Sequence, residues 1–93
     1  MNYLITYDIE NNKNRKKLSD LLETYGVRVN YSVFECELNK TKLNKLLRQI
    51  EEEKLLDKNI DSLRYYHLCK NCIPKSFEVC KRGDIFEEID MFI

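Results

Sequence analysis

Ninety-three residues, 43% of them hydrophobic and 34% charged, with two glycines and one proline, describe one soluble domain with a modest core and exclude a disordered tail. Sixteen acidic and sixteen basic residues cancel, so total charge names no partner and only its distribution is informative. No apolar run approaches the roughly 20 residues of a membrane span, and no basic start followed by an apolar stretch marks a signal peptide, so a cytosolic protein without membrane contact is expected.

The chain opens on NYLITYDIE, Asn2 to Glu10. Tyr3, Leu4, Ile5, Thr6, Tyr7 and Ile9 favour strands, and Asp8 interrupts them at the end of the run. That aspartate is either a turn-former or a charge placed for chemistry. Glu10-Asn11-Asn12 follows as a turn, with Asn12 placed to cap a helix. Leu18, Leu21, Leu22 and Tyr25 form one helical stripe, which Gly26 should end as a glycine just past the helix.

Lys13, Arg15, Lys16 and Lys17 place four positive charges in the first turns of that helix, where the helix dipole already attracts anions. Phosphate oxygens would relieve this conflict, and Arg28, Lys40, Lys42, Lys45 and Arg48 continue the basic trend. Acidic residues gather instead at Glu51 to Glu53 and towards the end of the chain, which suits a domain with one phosphate-facing surface. A solvated helix face would give the same pattern.

Val27 to Leu38 (VRVNYSVFECEL) reads either as one long strand or as two short strands with a tight reversal near Tyr31. Glu35 and Glu37 alternate here and are expected to be solvated or ion-paired. Leu43, Leu46, Leu47 and Ile50 mark a second helix from about Thr41 to Lys54, with Asn39 or Thr41 as its cap. Leu55 to Asp61 is a loop, Ser62 to Cys69 a strand, and Ser76 to Cys80 a further short strand. The last residues, IFEEIDMFI, keep an apolar character that calls for a docking surface.

With the middle segment as a hairpin, the order is that of an α+β ferredoxin-like fold, β-α-β-β-α-β, plus an extra C-terminal strand. Tyr3, Ile5, Tyr7, Phe34, Tyr65 and Tyr66 are more apolar surface than one sheet face accommodates, which points to a homodimer through the second face. Residues 1–93 are one domain in this reading, and the segment from about 76 to 93 is exchanged across the dimer as a strand added to the partner's sheet.

Cys36, Cys69, Cys72 and Cys80 are even in number, but nothing else indicates export, so reduced and partly buried thiols are expected. Cys69-Lys70-Asn71-Cys72 is a CxxC, and His67 and Cys80 allow a zinc site to be drawn, although a second well-spaced pair is missing. Ser32 has no histidine near it in sequence, and the single histidine, His67, is distant, which argues against a Ser-His or Cys-His nucleophile.

The functional reading of Asp8 is a carboxylate that holds a divalent ion, magnesium by preference, near phosphates gathered by Arg15, Lys16, Lys17 and Arg28. One carboxylate is few for a metal nuclease, and a two-fold axis near the strand ends would supply a second copy. Tyr7 and Phe34 are either core or platforms for a nucleotide base.

YLITYDIE, the basic NRKKLSDLLETYG helix and RVNYSVFECEL together resemble the CRISPR-associated Cas2 family, the small partner of the CRISPR integrase, in order and spacing over nearly the whole chain. The resemblance implies a ferredoxin-like homodimer acting in spacer acquisition, described as a Mg2+- or Mn2+-dependent endonuclease on single-stranded RNA or double-stranded DNA. It also implies a bridge between integrase dimers that holds duplex DNA on its basic surface. By position, the family's metal-binding aspartate matches Asp8, preceded by Tyr7, and its basic residues match Arg15, Lys17 and Arg28, with Phe34 as the motif aromatic. Lys17 keeps the charge without the fork of an arginine. A stand-alone RNA-cleaving toxin of the same fold is the alternative.

Overall fold

The computed structural model describes residues 1–80 and 85–86. Strand β1 (Asn2–Asp8) leads into helix α1 (Asn12–Glu23), the hairpin β2 (Gly26–Asn30) and β3 (Val33–Glu37), helix α2 (Lys40–Glu52) and strand β4 (Ser62–Leu68). A short 3-10 turn, Ile73–Lys75, follows. The four strands form an antiparallel sheet in the order β2-β3-β1-β4. This is the ferredoxin-like arrangement expected from the element order. Val27 to Leu38 is resolved in favour of two strands, turning at Tyr31 and Ser32.

Strict alternation makes β1 the axis of the core. Tyr3, Ile5 and Tyr7 are buried, and opposite them in register lie Cys36 and Phe34 of β3, also buried. Leu18 and Leu22 of α1 and Leu46 and Ile50 of α2 belong to the same buried cluster, so both helices cover this one face. The helical stripes read from the sequence are therefore the packing stripes.

Three local details differ from expectation. The cap of α1 is Asn11, one residue early, with its side-chain oxygen accepting the Asn14 N–H at 2.9 Å; α2 is capped in the same way by Asn39. Gly26 does not terminate α1, which ends at Glu23 with Thr24 as its right-handed cap. Gly26 instead opens β2, where a Cβ would collide with the Cys36 sulfur and the Glu35 carbonyl oxygen. Ser76 to Cys80 forms no strand; Phe77 and Val79 in it are exposed and lack the sheet partner that would turn an apolar pattern into a strand. The remainder of the segment expected to exchange across a dimer lies outside the described residues, apart from Ile85 and Phe86.

The helix α2 ends in a Schellman motif built on a non-glycine residue. Lys54 takes φ 51°, its N–H reaches the Glu51 carbonyl, and the Leu55 N–H reaches back to that of Ile50 at 3.2 Å. The fully buried Leu55 then packs into the core with Ile50, and this contact offsets the left-handed backbone at Lys54.

The register also revises the argument for a second covered face. Tyr3, Ile5, Tyr7 and Phe34 point to the helices, and Tyr65, paired with Ile5, joins them in an edge contact with Tyr3 at 5.9 Å. Only Tyr66 of the six large residues lies on the helix-free face, opposite Leu4. That face mixes Leu4, Val27, Val33 and Leu68 with Thr6, Glu35, Arg64 and Asp8. Its aromatic content is therefore too small to demand a partner on its own.

Candidate nucleic-acid interface

Two arrangements carry the chemistry, one on each side of the sheet. On the helix side, α1 and the β2–β3 turn bound an open cleft of about 440 Å³. Asn12, Arg15, Lys16, Ser19, Asp20 and Glu23 line it from α1, and Arg28, Tyr31 and Ser32 line it from the hairpin. The helical spacing of three and four explains the α1 side, since Asn12, Arg15, Ser19 and Glu23 stack along one face.

Both arginines are held by backbone acceptors. Arg15 donates to the Ile9 carbonyl at 3.0 Å and to the Asn12 side-chain oxygen. Arg28 directs two N–H groups at the Tyr31 carbonyl, at 3.2 and 2.7 Å, and its guanidinium lies 5.9 Å from the Phe34 ring centre. The Tyr7 hydroxyl donates to the same carbonyl at 3.3 Å, and the Tyr7 ring stacks on Phe34 at 6.3 Å. Tyr7, Arg28 and Phe34 thus form one unit that fixes the turn, with Arg15 across the cleft from it.

Phe34 and Tyr7 are buried, at 0% and 6% exposure, so they are core residues and do not offer a face to a base. The aromatic at the cleft that remains free is Tyr31, 84% exposed. In the sequence it reads only as a turn residue; its signal is an aromatic placed at a reversal, where no core position exists.

The cleft is cationic but not purely so. Lys16 pairs with Asp20 at 3.2 Å, with both side chains largely exposed, and Glu23 adds a second acid. The i,i+4 spacing of Lys16 and Asp20 is the clue that the sequence offers to this pair. Lys13 and Lys17 are exposed on α1 beside the cleft-lining positions. No acidic residue stands in the first turn of α1, so the dipole conflict read from the sequence is present in the structure.

Asp8 belongs to the other arrangement. Alternation from Asn2 through Leu4 and Thr6 puts its carboxylate, exposed, on the helix-free face at the end of β1. Ser62 lies opposite it, and Arg64, opposite Thr6, shares the face one pair away. Within one chain the sheet therefore separates Asp8 from the Arg15–Arg28 cleft. Nothing in the sequence singles out Arg64; only the β1–β4 register reveals that it shares a face with Asp8.

A divalent ion fits the single chain in part. Among the described residues no three His, Cys, Asp or Glu side chains come together. Magnesium needs only one or two carboxylates besides substrate oxygens and water; Asp8 would supply one, and a second would come from another copy. Glu35, expected to be solvated or ion-paired, is half-buried and accepts the Phe86 N–H at 2.8 Å. Ser32 has no histidine beside it, as His67 stacks on Tyr3 at 5.0 Å.

The cysteines divide sharply. Cys36 is buried, and burial, reinforced by the Glu35 charge, pushes its thiol up to about 11. Cys69, Cys72 and Cys80 are exposed, contrary to the expectation of partly buried thiols, because the chain beyond β4 runs outside the core.

An antiparallel β2-β3-β1-β4 sheet with two helices on one face, a cationic cleft on that side and a carboxylate at the end of β1 on the other defines a small α+β ferredoxin-like protein. The chain belongs to the Cas2 family: the family model for CRISPR associated protein Cas2 matches residues 1–76. It is 52% identical over 66 residues to the CRISPR-associated endoribonuclease Cas2 3 of a Synechocystis species, covering 71% of this chain and 70% of that one. It is 45% identical over 64 residues to the CRISPR-associated endonuclease Cas2 2 of Thermus thermophilus, covering 69% of each. The crystal structure of Streptococcus pyogenes Cas2 superposes with a TM-score of 0.73 at 28% identity, over 85% of this chain and 99% of that one. A chain of a partial Cas6-RT-Cas1–Cas2 complex superposes with a TM-score of 0.66 at 35% identity, over 95% and 98%. No helix among the described residues is long and apolar enough to cross a membrane.

Proposed function

We propose that this protein acts in CRISPR adaptation as a homodimeric adaptor that carries duplex DNA on its α1 clefts and joins it to the CRISPR integrase. The observation that carries this reading is the convergence of Arg15, Lys16 and Arg28 on one open cleft, with Lys13 and Lys17 exposed on the same helix. Family membership supports it, as does the likeness to a chain from a complex that names both Cas1 and Cas2. Lysine and arginine side chains at the dipole-positive end of a helix suit the phosphate backbone, which is read by charge and not by sequence.

A second reading concerns Asp8. Relatives are named endoribonuclease and endonuclease, and two copies of Asp8 brought together by a dimer through the helix-free face would hold Mg2+ or Mn2+ for phosphodiester hydrolysis. The bound ion would polarise the phosphate and lower the pKa of its water; the chain's own contribution is the carboxylate. Single-stranded RNA and duplex DNA are both candidate substrates.

Spacer acquisition in cells and cleavage in vitro, measured on the same variants, separate the two roles. The adaptor reading expects Asp8→Asn to acquire spacers at the wild-type level while charge reversal at Lys13, Lys16 and Lys17 abolishes acquisition. Acquisition lost in Asp8→Asn and retained in the charge-reversed protein would overturn it. For the hydrolytic reading, Asp8→Asn should lose magnesium-dependent cleavage of labelled RNA or DNA, and equal cleavage by both proteins would remove Asp8 from the chemistry.

A further inference from the structure

The CxxC at the end of β4 is used by neither the cleft nor the Asp8 face. We propose that Cys69 and Cys72 form a reversible intrachain dithiol/disulfide pair whose closure fixes the path by which the chain leaves β4. The two sulfurs lie 2.8 Å apart, and both residues are exposed. The turn already approximates the closed form: the Cys72 N–H reaches the Cys69 carbonyl at 3.0 Å, and the Cys72 carbonyl accepts from the Lys75 N–H at 3.1 Å and the Ser76 hydroxyl at 3.0 Å. Oxidation therefore needs only a short further approach of the two sulfurs.

The two thiols are also inequivalent. The hydrogen bond between the two sulfurs lowers the Cys69 thiol and raises that of Cys72. Lys70 stands between them in sequence, and a cation beside a thiolate favours it. Cys69 is thus the attacking sulfur and Cys72 the resolving one.

The oxidant is a low-molecular-weight disulfide. Cys69 thiolate attacks one of its sulfurs, forming a mixed disulfide and expelling one small thiolate. Cys72 then loses its proton to solvent and attacks the Cys69 sulfur, releasing the second small thiolate and closing the protein disulfide. The small disulfide is reduced by two electrons as the protein dithiol is oxidised. An external dithiol reverses both steps, as befits a transient disulfide in a reducing compartment.

The full chain is treated with oxidised glutathione and followed by intact mass, peptide mapping and thiol titration. Wild type should become two hydrogens lighter, keep two of its four thiols and map the bond to Cys69 and Cys72. Cys72→Ser should stop as a mixed disulfide on Cys69, and Cys69→Ser should form no disulfide within the turn. Hydrogen exchange at the Cys72, Lys75 and Ser76 amides should slow on oxidation while β4 is unchanged. A stable glutathione adduct on Cys69 or Cys72 of wild type, a bond involving Cys80 or a bond between two chains overturns the pair. Unchanged exchange in the turn after the bond has formed overturns its control of the chain path. Wild type that keeps all four thiols after treatment, titrated in denaturant, also contradicts the proposal.

Discussion

The Tyr31 carbonyl is the smallest unit on which the cleft depends. It accepts from Tyr7 and twice from Arg28, so one peptide oxygen links β1, β2 and the turn. Arg28→Lys keeps the charge but loses the fork, and should cost about 0.5 to 1.5 kcal/mol in urea unfolding while leaving the salt dependence of DNA binding unchanged. Unchanged unfolding stability would contradict the tie to the Tyr31 carbonyl. Cys36 gives a second test at this scale. Its folded-state thiol is raised from 9.0 to about 11, so the folded protein holds the proton more tightly than the unfolded chain. The stability this contributes is complete below pH 9.0 and falls as pH rises towards 11. Thermal melts across that window should show wild type losing stability faster than Cys36→Ala, and parallel curves would contradict the assignment. Arg28's tie to a carbonyl is not legible in the sequence, whereas the burial of Phe34 is one of the two roles the sequence offers for it. An arginine and an aromatic near a turn serve binding or packing equally well until the register shows which face each occupies.

At the scale of elements, α1 combines a sound apolar stripe with an unfavourable first turn. Leu18 and Leu22 are fully buried, whereas Lys13 stands at the positive end of the dipole with no acid in that turn to offset it. Lys13→Glu should therefore raise the melting stability of the free protein by about 0.3 to 1 kcal/mol and weaken duplex binding. Stability and affinity moving together would contradict a helix end kept basic for binding. Both helices, β1 and β4 can be read from spacing, because leucines at three and four, or runs of β-branched and aromatic residues, report packing directly; whether Val27 to Leu38 is one strand or two cannot. Ser76 to Cys80 misleads for the same reason: Phe77 and Val79 alternate like a strand, but no neighbouring strand pairs with them in the described chain. Gly26 misleads because a glycine after a helix usually serves the cap, and its close approach to Cys36 is a tertiary fact.

For the whole molecule, the sheet is a partition, with the α1 cleft on one side and Asp8 on the other. Asp8 and the basic residues are near neighbours along the chain, which suggests a shared site; period-two alternation in β1 turns that adjacency into opposite faces. A homodimer through the helix-free face would gather the two Asp8 carboxylates centrally and leave both clefts outward, which suits a carrier of duplex DNA. The most direct measurement is the affinity of the full-length protein for duplex DNA over a series of salt concentrations, compared with Lys13→Glu/Lys16→Glu/Lys17→Glu. The account predicts tighter wild-type binding and a salt slope reduced in the variant by about 0.9 for each phosphate that is no longer neutralised. Equal affinity and equal slope for the two proteins would contradict it.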